Sequence, residues 1–318
     1  MNASSSISQS VQSTTESFQP KPPPKEELYQ YALKVINEDR KSHGVGPVML
    51  SDIPSAQNHA DNMLNAKYFS HWDTNRVKPY VTYTKLGGKG AVDENISYVE
   101  SHCLSGNCYT NSFDPFKQIK DSEYEMMYDD AASNWGHRDN IINPNHTHVN
   151  FGIAYDNDRF YFVEHFENNL VNWNIEQVTG NQLHLVGEIP VGYSLEQIEV
   201  FADPGPKILT AQDLASQAPY NEHYYNQGDL VGIILPQLTG SYYYPECASG
   251  KTTISSTNGQ QCINYTTFVN TSSGSNGVDI SVDVSKWMGA GLHTIYLDLK
   301  KKSDGQVSAT SLTLEYLK

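Results

Sequence analysis

The hydrophobic period changes once along this chain, and that change limits what it can fold into. From Glu26 to His43, Leu28, Tyr31, Ala32, Val35 and Ile36 recur at spacings of three and four, one stripe of a helix. Gly44 and Gly46 then stop it. Ser55 is placed to cap a second helix reaching about Lys67, and a third is expected over Lys78 to Leu86. Asp114 and Pro115 open a fourth that should run to about Asn134. In VNFGIAY, Val149, Phe151, Ile153 and Tyr155 alternate, and FYFVEHFE returns after an Asp-Asn-Asp turn as the second arm of a hairpin. After about Asn172 the period is two. Val278, Ile280, Val282 and Val284 alternate with polar neighbours, and LHTIYLDL and SLTLEYL repeat the pattern. The expected fold class is α+β: a layered helix-and-sheet domain over 26–172, then a β-sandwich-like domain over 173–318. Residues 1–25, rich in Ser, Thr and Pro, read as a disordered spacer.

With 318 residues the chain can support two cores. Acidic residues number 36 against 21 basic, for a net charge of −15, which disfavours phosphate backbones and anionic lipid as partners. The longest apolar run, Leu230 to Leu235, is far too short to span a membrane. The mean hydropathy of −0.53 fits a water-soluble chain. The four cysteines form two close pairs, Cys103 with Cys108 and Cys247 with Cys262, which we read as disulfides although spacing alone permits three connectivities. A bridge across the second pair would contribute about 3 kcal/mol in the loop-entropy picture. Sequons begin at Asn2, Asn95, Asn145, Asn264 and Asn270. Together these point to a secreted or cell-surface glycoprotein whose leader is absent from the chain.

Several chemistries lack their signatures. HExxH, GxSxG, GxxxxGK[ST], GxGxxG and the EF-hand loop are all missing. The informative segments are NAKYFSHW, VDENIS, SNWGHRDNIINPNHTHVNFGIAY and FYFVEHFE, in that order. Together they resemble the CAP superfamily (the SCP domain of cysteine-rich secretory, antigen 5 and pathogenesis-related proteins), closest to its prokaryotic branch. The resemblance covers roughly Glu26 to Glu167 and implies a three-layer α-β-α sandwich. It implies a cleft lined by His71, Glu94 and His137, in which the two histidines hold a divalent metal. Zinc is the first expectation for that cofactor, with copper and magnesium as alternatives.

Neutral imidazoles suit such a metal, and a neighbouring carboxylate can orient a ligand or a bound water. Family members with a second glutamate carry it where this chain has Asn134. Asp130, one turn earlier, is the candidate substitute, so Glu94 and Asp130 are the candidate catalytic carboxylates and Asn134 a cleft residue. The leading expectation is a binding module for a metal, a small ligand or a partner peptide. The rivals are a metal-dependent protease or nuclease using the same cleft, and a structural envelope protein. His59 reads as a structural helix residue and His165 as a satisfied core histidine. His146 and His148, Arg138 and Asp139 read as loop or packing residues. The tyrosines at 220, 224, 225 and 242–244 suit packing or sugar stacking. Asp279 and Asp283 share a polar strand face and suit either calcium or solvent.

Overall fold

The computed structural model describes residues 22–100, 114–216, 228–256, 259–287, 289–301 and 305–316. Cys103, Cys108, Asn2 and the tyrosines at 220, 224 and 225 lie outside these residues.

The first half builds one sheet between two helical layers. Its helices are α1 (Lys25–Ser42), α2 (Ser55–Ala66), α3 (Pro79–Lys85), α4 (Pro115–Tyr128) and α5 (Gly136–Ile141). Its strands are β1 (Met49–Leu50), β2 (Ala91–Glu100), β3 (His148–Tyr155) and β4 (Arg159–Asn168), ordered β1-β3-β4-β2. Alternation along β3 and β4 decides which layer each residue meets. Phe151, Ile153, Phe160, Phe162 and Phe166 form a core with Leu28, Ile36, Ile119 and Met127 from α1 and α4. Ala154, Tyr161 and Val163 turn the other way and pack on Ala56, Ala60 and Met63 of α2.

One expectation from the sequence needs correcting here, and one strand lies where none was expected. The fourth helix stops at Tyr128 rather than near Asn134. A short 3-10 turn, Ala131–Ser133, follows, and Asn134 and Trp135 both adopt left-handed backbone (φ 54° and 66°), which reverses the chain ahead of α5. The segment containing VDENIS is also a strand, β2, with ten residues paired antiparallel to β4. It is buried on both faces, so polar residues stand where a half-exposed strand would show alternation.

Among the described residues the second half is all β but for α6 (Ala211–Ser216). Its strands are β5 (Asn172–Thr179), β6 (Gln182–Glu188), β7 (Tyr193–Asp203), β8 (Asp229–Pro236), β9 (Glu246–Ala248), β10 (Lys251–Ser256), β11 (Gly259–Phe268), β12 (Gly277–Asp283), β13 (Gly291–Lys301) and β14 (Gln306–Tyr316). A seven-stranded sheet, β14-β13-β7-β8-β11-β10-β9, faces a three-stranded one, β12-β6-β5. Their inward residues, including Leu183, Leu185, Ile198, Ile280, Ile295 and Leu297, form one core. A disulfide between Cys247 and Cys262 ties β9 to β11 at the sheet edge.

The halves are joined through buried polar contacts. Asp203, at the end of β7, accepts from Lys78 Nζ at 2.6 Å and from the Tyr80 hydroxyl. The segment after Asp203 returns to the first half. Lys207 N donates to the Asn75 carbonyl at 3.0 Å and Leu209 N to the Thr74 carbonyl at 2.8 Å. Leu209 and Leu214 then bury themselves in the α2 layer.

Gly152 fixes how closely α2 approaches the sheet. A Cβ there would lie 2.1 Å from the Ala56 carbonyl oxygen and 2.9 Å from the Ala60 Cβ. Because the nearest obstacle is helix backbone, α2 would have to move as a body. We expect Gly152→Ala to lower unfolding free energy by about 3 kcal/mol in urea denaturation; an unchanged midpoint would mean that α2 shifts without resistance.

Candidate functional site

Glu94 stands in the middle of β2, opposite His165 of β4, with both side chains on the α2 face of the sheet. Three imidazoles meet its carboxylate at 2.6 Å each. His59 Nδ1 and His165 Nε2 reach Oε2, and His71 Nδ1 reaches Oε1. They come from the middle of α2, from the loop after α2 and from the adjacent strand. The His165 ring is fixed at its other end by Ser55 Oγ, 2.7 Å from Nδ1, and Ser55 in turn donates to Asn150 Oδ1 at 3.2 Å. The Glu94 side chain has no solvent exposure. Burial alone would push its pKa up, but His59 first, then the hydrogen bonds from His165, His59 and His71, hold it well below the usual carboxylate range. Glu94 is therefore an anion, and its oxygens accept.

The same carboxylate treats its partners differently. Burial works against a charge on His59, yet Glu94 overrides it and raises the pKa of that imidazole. For His71 burial prevails and the pKa is lowered, with the charges of His59 and His137 acting in the same direction. His137 is thus near enough to influence His71 across the cleft.

His137 lies in the first turn of α5. Its Nδ1 is 2.7 Å from Asp130 Oδ1, while Asp130 Oδ2 accepts from the His137 backbone N at 2.9 Å. Asp130 is buried, and His137 keeps a side-chain exposure of 25%. Both cleft histidines therefore carry the same fitting, with Nδ1 against a buried carboxylate. That fixes the ring and its tautomer, as second-shell carboxylates do for metal-bound histidines. Asn134 is exposed and serves the left-handed turn before α5.

Asn95, the next residue along β2, faces the α4 layer. Its Nδ2 donates to Glu164 Oε2 at 3.1 Å and to the His137 carbonyl at 3.2 Å, and its Oδ1 accepts from Asn140 at 2.9 Å. At 2% exposure this sequon asparagine has no room for a glycan in the folded protein, which removes one of the sequons counted above. Glu164 faces Glu123 of α4, and both are buried. Burial, with the charge of Glu164 next, lifts Glu123 well above the normal range. Burial raises Glu164 to about 7, against the opposing hydrogen bonds from Glu123 and Asn95.

The remaining candidates do not converge on the cleft. His146 is buried, stacked on Phe166, and held by Asn168 and Asn140 at 2.8 Å each. His148 turns to Thr147 Oγ1 instead. Arg138 lies over Trp135. Tyr242 and Tyr243 are exposed, far along the chain in the β half. Asp283 caps the Ser285 amide, and Asp279 sits 3.8 Å from His184.

A family comparison covers most of the first half. Residues 33–166 match the model of the family described as the cysteine-rich secretory protein family, CAP. Residues 33–166 form a CAP domain. The matched residues include both partners of every Glu94 and Asp130 contact described above. Three solved structures are similar to part of the chain. An extracellular protein containing a SCP domain from Bacillus anthracis str. Ames is 16% identical, with a TM-score of 0.35, over 47% of this chain and 45% of that one. The CAP domain of Enterococcal PrgA is 15% identical, with a TM-score of 0.30, over 45% and 61%. A cysteine-rich secretory protein from Staphylococcus aureus subsp. aureus Mu50 is 15% identical, with a TM-score of 0.30, over 47% and 42%. The match spans less than two thirds of each of those chains. No curated protein matches this one.

The carboxyl pair behind the CAP cleft gives a pH prediction. Glutamate has an ordinary pKa of 4.5, whereas folded Glu164 keeps its proton to about 7. Between those values the folded state binds more protons, so this contribution is complete below 4.5 and is lost as pH rises through 7. His146 acts oppositely. Its burial lowers it from 6.5 to about 4, so its contribution is lost as pH falls through that window. The difference between variant and wild type isolates the glutamates. We expect Glu123→Gln to raise the melting temperature more at pH 8 than at pH 5; parallel pH profiles would show that the two carboxyls are uncoupled.

Proposed function

We propose that the CAP domain is an extracellular or cell-surface binding module whose cleft holds a divalent metal ion between His71 and His137. One observation carries this reading: each of these histidines has its Nδ1 set against a buried carboxylate, Glu94 for one and Asp130 for the other, at 2.6 and 2.7 Å. The donors suit the group. Burial keeps His71 toward the neutral imidazole that metals need, and the fixed Nδ1 makes Nε2 the nitrogen each ring would offer. Two protein donors favour zinc first, with copper and magnesium behind it, because imidazole suits the softer ions.

A bound metal of this kind would supply Lewis acidity and open positions for a ligand or partner side chain. The chain's own residues do the holding. Glu94 is a positioning residue: buried, ionised, and occupied by three imidazoles. Its lowered pKa makes it a weak base, and this favours binding over hydrolysis. Asp130 anchors both the ring and the backbone of His137, so it too positions. The disulfide Cys247–Cys262 fits an oxidising, extracellular setting.

Zinc titration followed by thermal denaturation tests the reading. Zinc should raise the melting temperature of the wild type, and His71→Ala with His137→Ala should abolish the shift. Asp130→Asn, which keeps the shape but loses the charge, should weaken zinc binding by about 10-fold or more. The absence of a shift with zinc, copper and magnesium alike would remove the metal from this cleft.

A further inference from the structure

The β half has a groove of its own, at the opposite end of β7 from the Asp203 bridge to the CAP domain. Asp203 ends β7, and the groove is built around the start of that strand, Tyr193 to Leu195. A strand of 11 residues separates the two points by roughly 33 Å. Here β8 and the parallel β11 stop side by side, Pro236 against Phe268, and β12 of the facing sheet begins at Gly277. The volume is about 780 Å3, within the range of small-ligand pockets. Its floor is apolar, with Ile189 and Phe268 buried and Leu195 half-buried. Its rim is polar, and the exposed Ser194, Gln237 and Thr239 bring hydroxyl and amide groups to it.

Charge is what the lining lacks. Charged residues make up 18% of the chain, and its net charge is −15. None of the described residues that line the groove is charged, and Lys301 lies over the ring of Tyr193 without joining the lining. An anion would meet the repulsive field of the whole molecule with no cation in the groove to offset it, and a cation would find no carboxylate. Hydroxyls and carboxamides both donate and accept, which suits a neutral ligand whose own groups do both.

The mouth adds flat apolar surface. Tyr242 and Tyr243 are 79% and 82% exposed, in the loop between β8 and β9. Tyr242 borders the groove at Gly240, where an added Cβ would meet its ring at 4.0 Å. That loop is fastened at both ends. Gln237 N donates to the Phe268 carbonyl at 2.8 Å, and the Tyr244 hydroxyl donates to the Pro236 carbonyl at 2.9 Å. Rigid aromatic rings on an anchored loop lose little freedom on binding. A peptide joining the sheet as an extra strand fits less well. β12 is an edge strand, but its edge is already taken at this point: Asn270 Nδ2 donates to the Gly277 carbonyl and Thr271 N to the Asp279 carbonyl, each at 2.8 Å.

We propose that this groove binds a neutral oligosaccharide, with sugar C–H faces on the Tyr242 ring and the apolar floor, and hydroxyls bonded to Ser194, Gln237 and Thr239. It is a second binding site, independent of the metal cleft in the CAP domain.

Calorimetric titration of the full chain, prepared without attached glycans, tests this. The probes are maltohexaose, cellohexaose, mannohexaose and chitohexaose, with a hyaluronan hexasaccharide as the acidic comparison. At least one neutral probe should bind with a stoichiometry near one, and hyaluronan should bind at least tenfold more weakly. Tyr242→Ala should weaken the neutral probe by about tenfold and Gln237→Ala by about threefold. Both side chains are exposed, so the fold should survive each change. Tyr124→Ala, at an exposed tyrosine of α4 in the other half, should leave binding unchanged. The proposal is overturned by no binding of any neutral probe, by equal affinity for hyaluronan, by full affinity in Tyr242→Ala, or by an equal loss in Tyr124→Ala. Saturable binding of a random decapeptide pool that Tyr242→Ala removes, with no sugar bound, would give the groove to a peptide and overturn it as well.

Discussion

An ionised carboxylate in the interior of a protein is stable only if hydrogen-bond donors replace the water it has lost. Glu94 meets that condition with three imidazoles from three separate elements. The helix α2, the loop after it and the adjacent strand are thus pinned to one point on β2. The cleft histidine His71 inherits its orientation from that point, and so does the Ser55–His165 chain that fastens the start of α2 to the sheet. Removing the charge would leave several imidazoles without their shared acceptor, so the cluster stands or falls as a unit.

The opposite face of the same two strands follows another logic. Where Glu94 and His165 face each other on the α2 side, Asn95 and Glu164 face each other on the α4 side. One side stores a negative charge among donors. The other sets two acids together and leaves them to hold protons. Asn95 connects that acid pair to the backbone of His137, so both cleft histidines are anchored to neighbouring residues of one strand.

Much of this was legible in the sequence, and the gaps have physical causes. The helical stripes of α1 and α2 and the alternation of β12 were visible because each buries one face. Strand β2 was hidden, since a strand buried on both faces with polar residues in its middle has no apolar alternation to read. The end of α4 was misplaced because the reversal depends on left-handed backbone at Asn134 and Trp135, and tryptophan gives no local signal for that conformation. His71, Glu94 and His137 were marked by motif. The roles of His59 and His165 were not, because they depend on the register of β2 against β4 and on the depth to which α2 sinks. The glutamate pair was missed for the same reason: Glu123 and Glu164 are 41 residues apart in sequence and meet only across a layer.

The bridge from Lys78 and Tyr80 to Asp203 bears on how the molecule comes apart. Both ends of the ion pair are almost wholly enclosed, at 5% and 6% side-chain exposure. Opening either half alone would strand a charge in the surface of the other, where the surrounding side chains are arranged for a pair. The pair therefore ties the two halves together, and a cut between them would leave two fragments, each with an unmatched charge at its broken face.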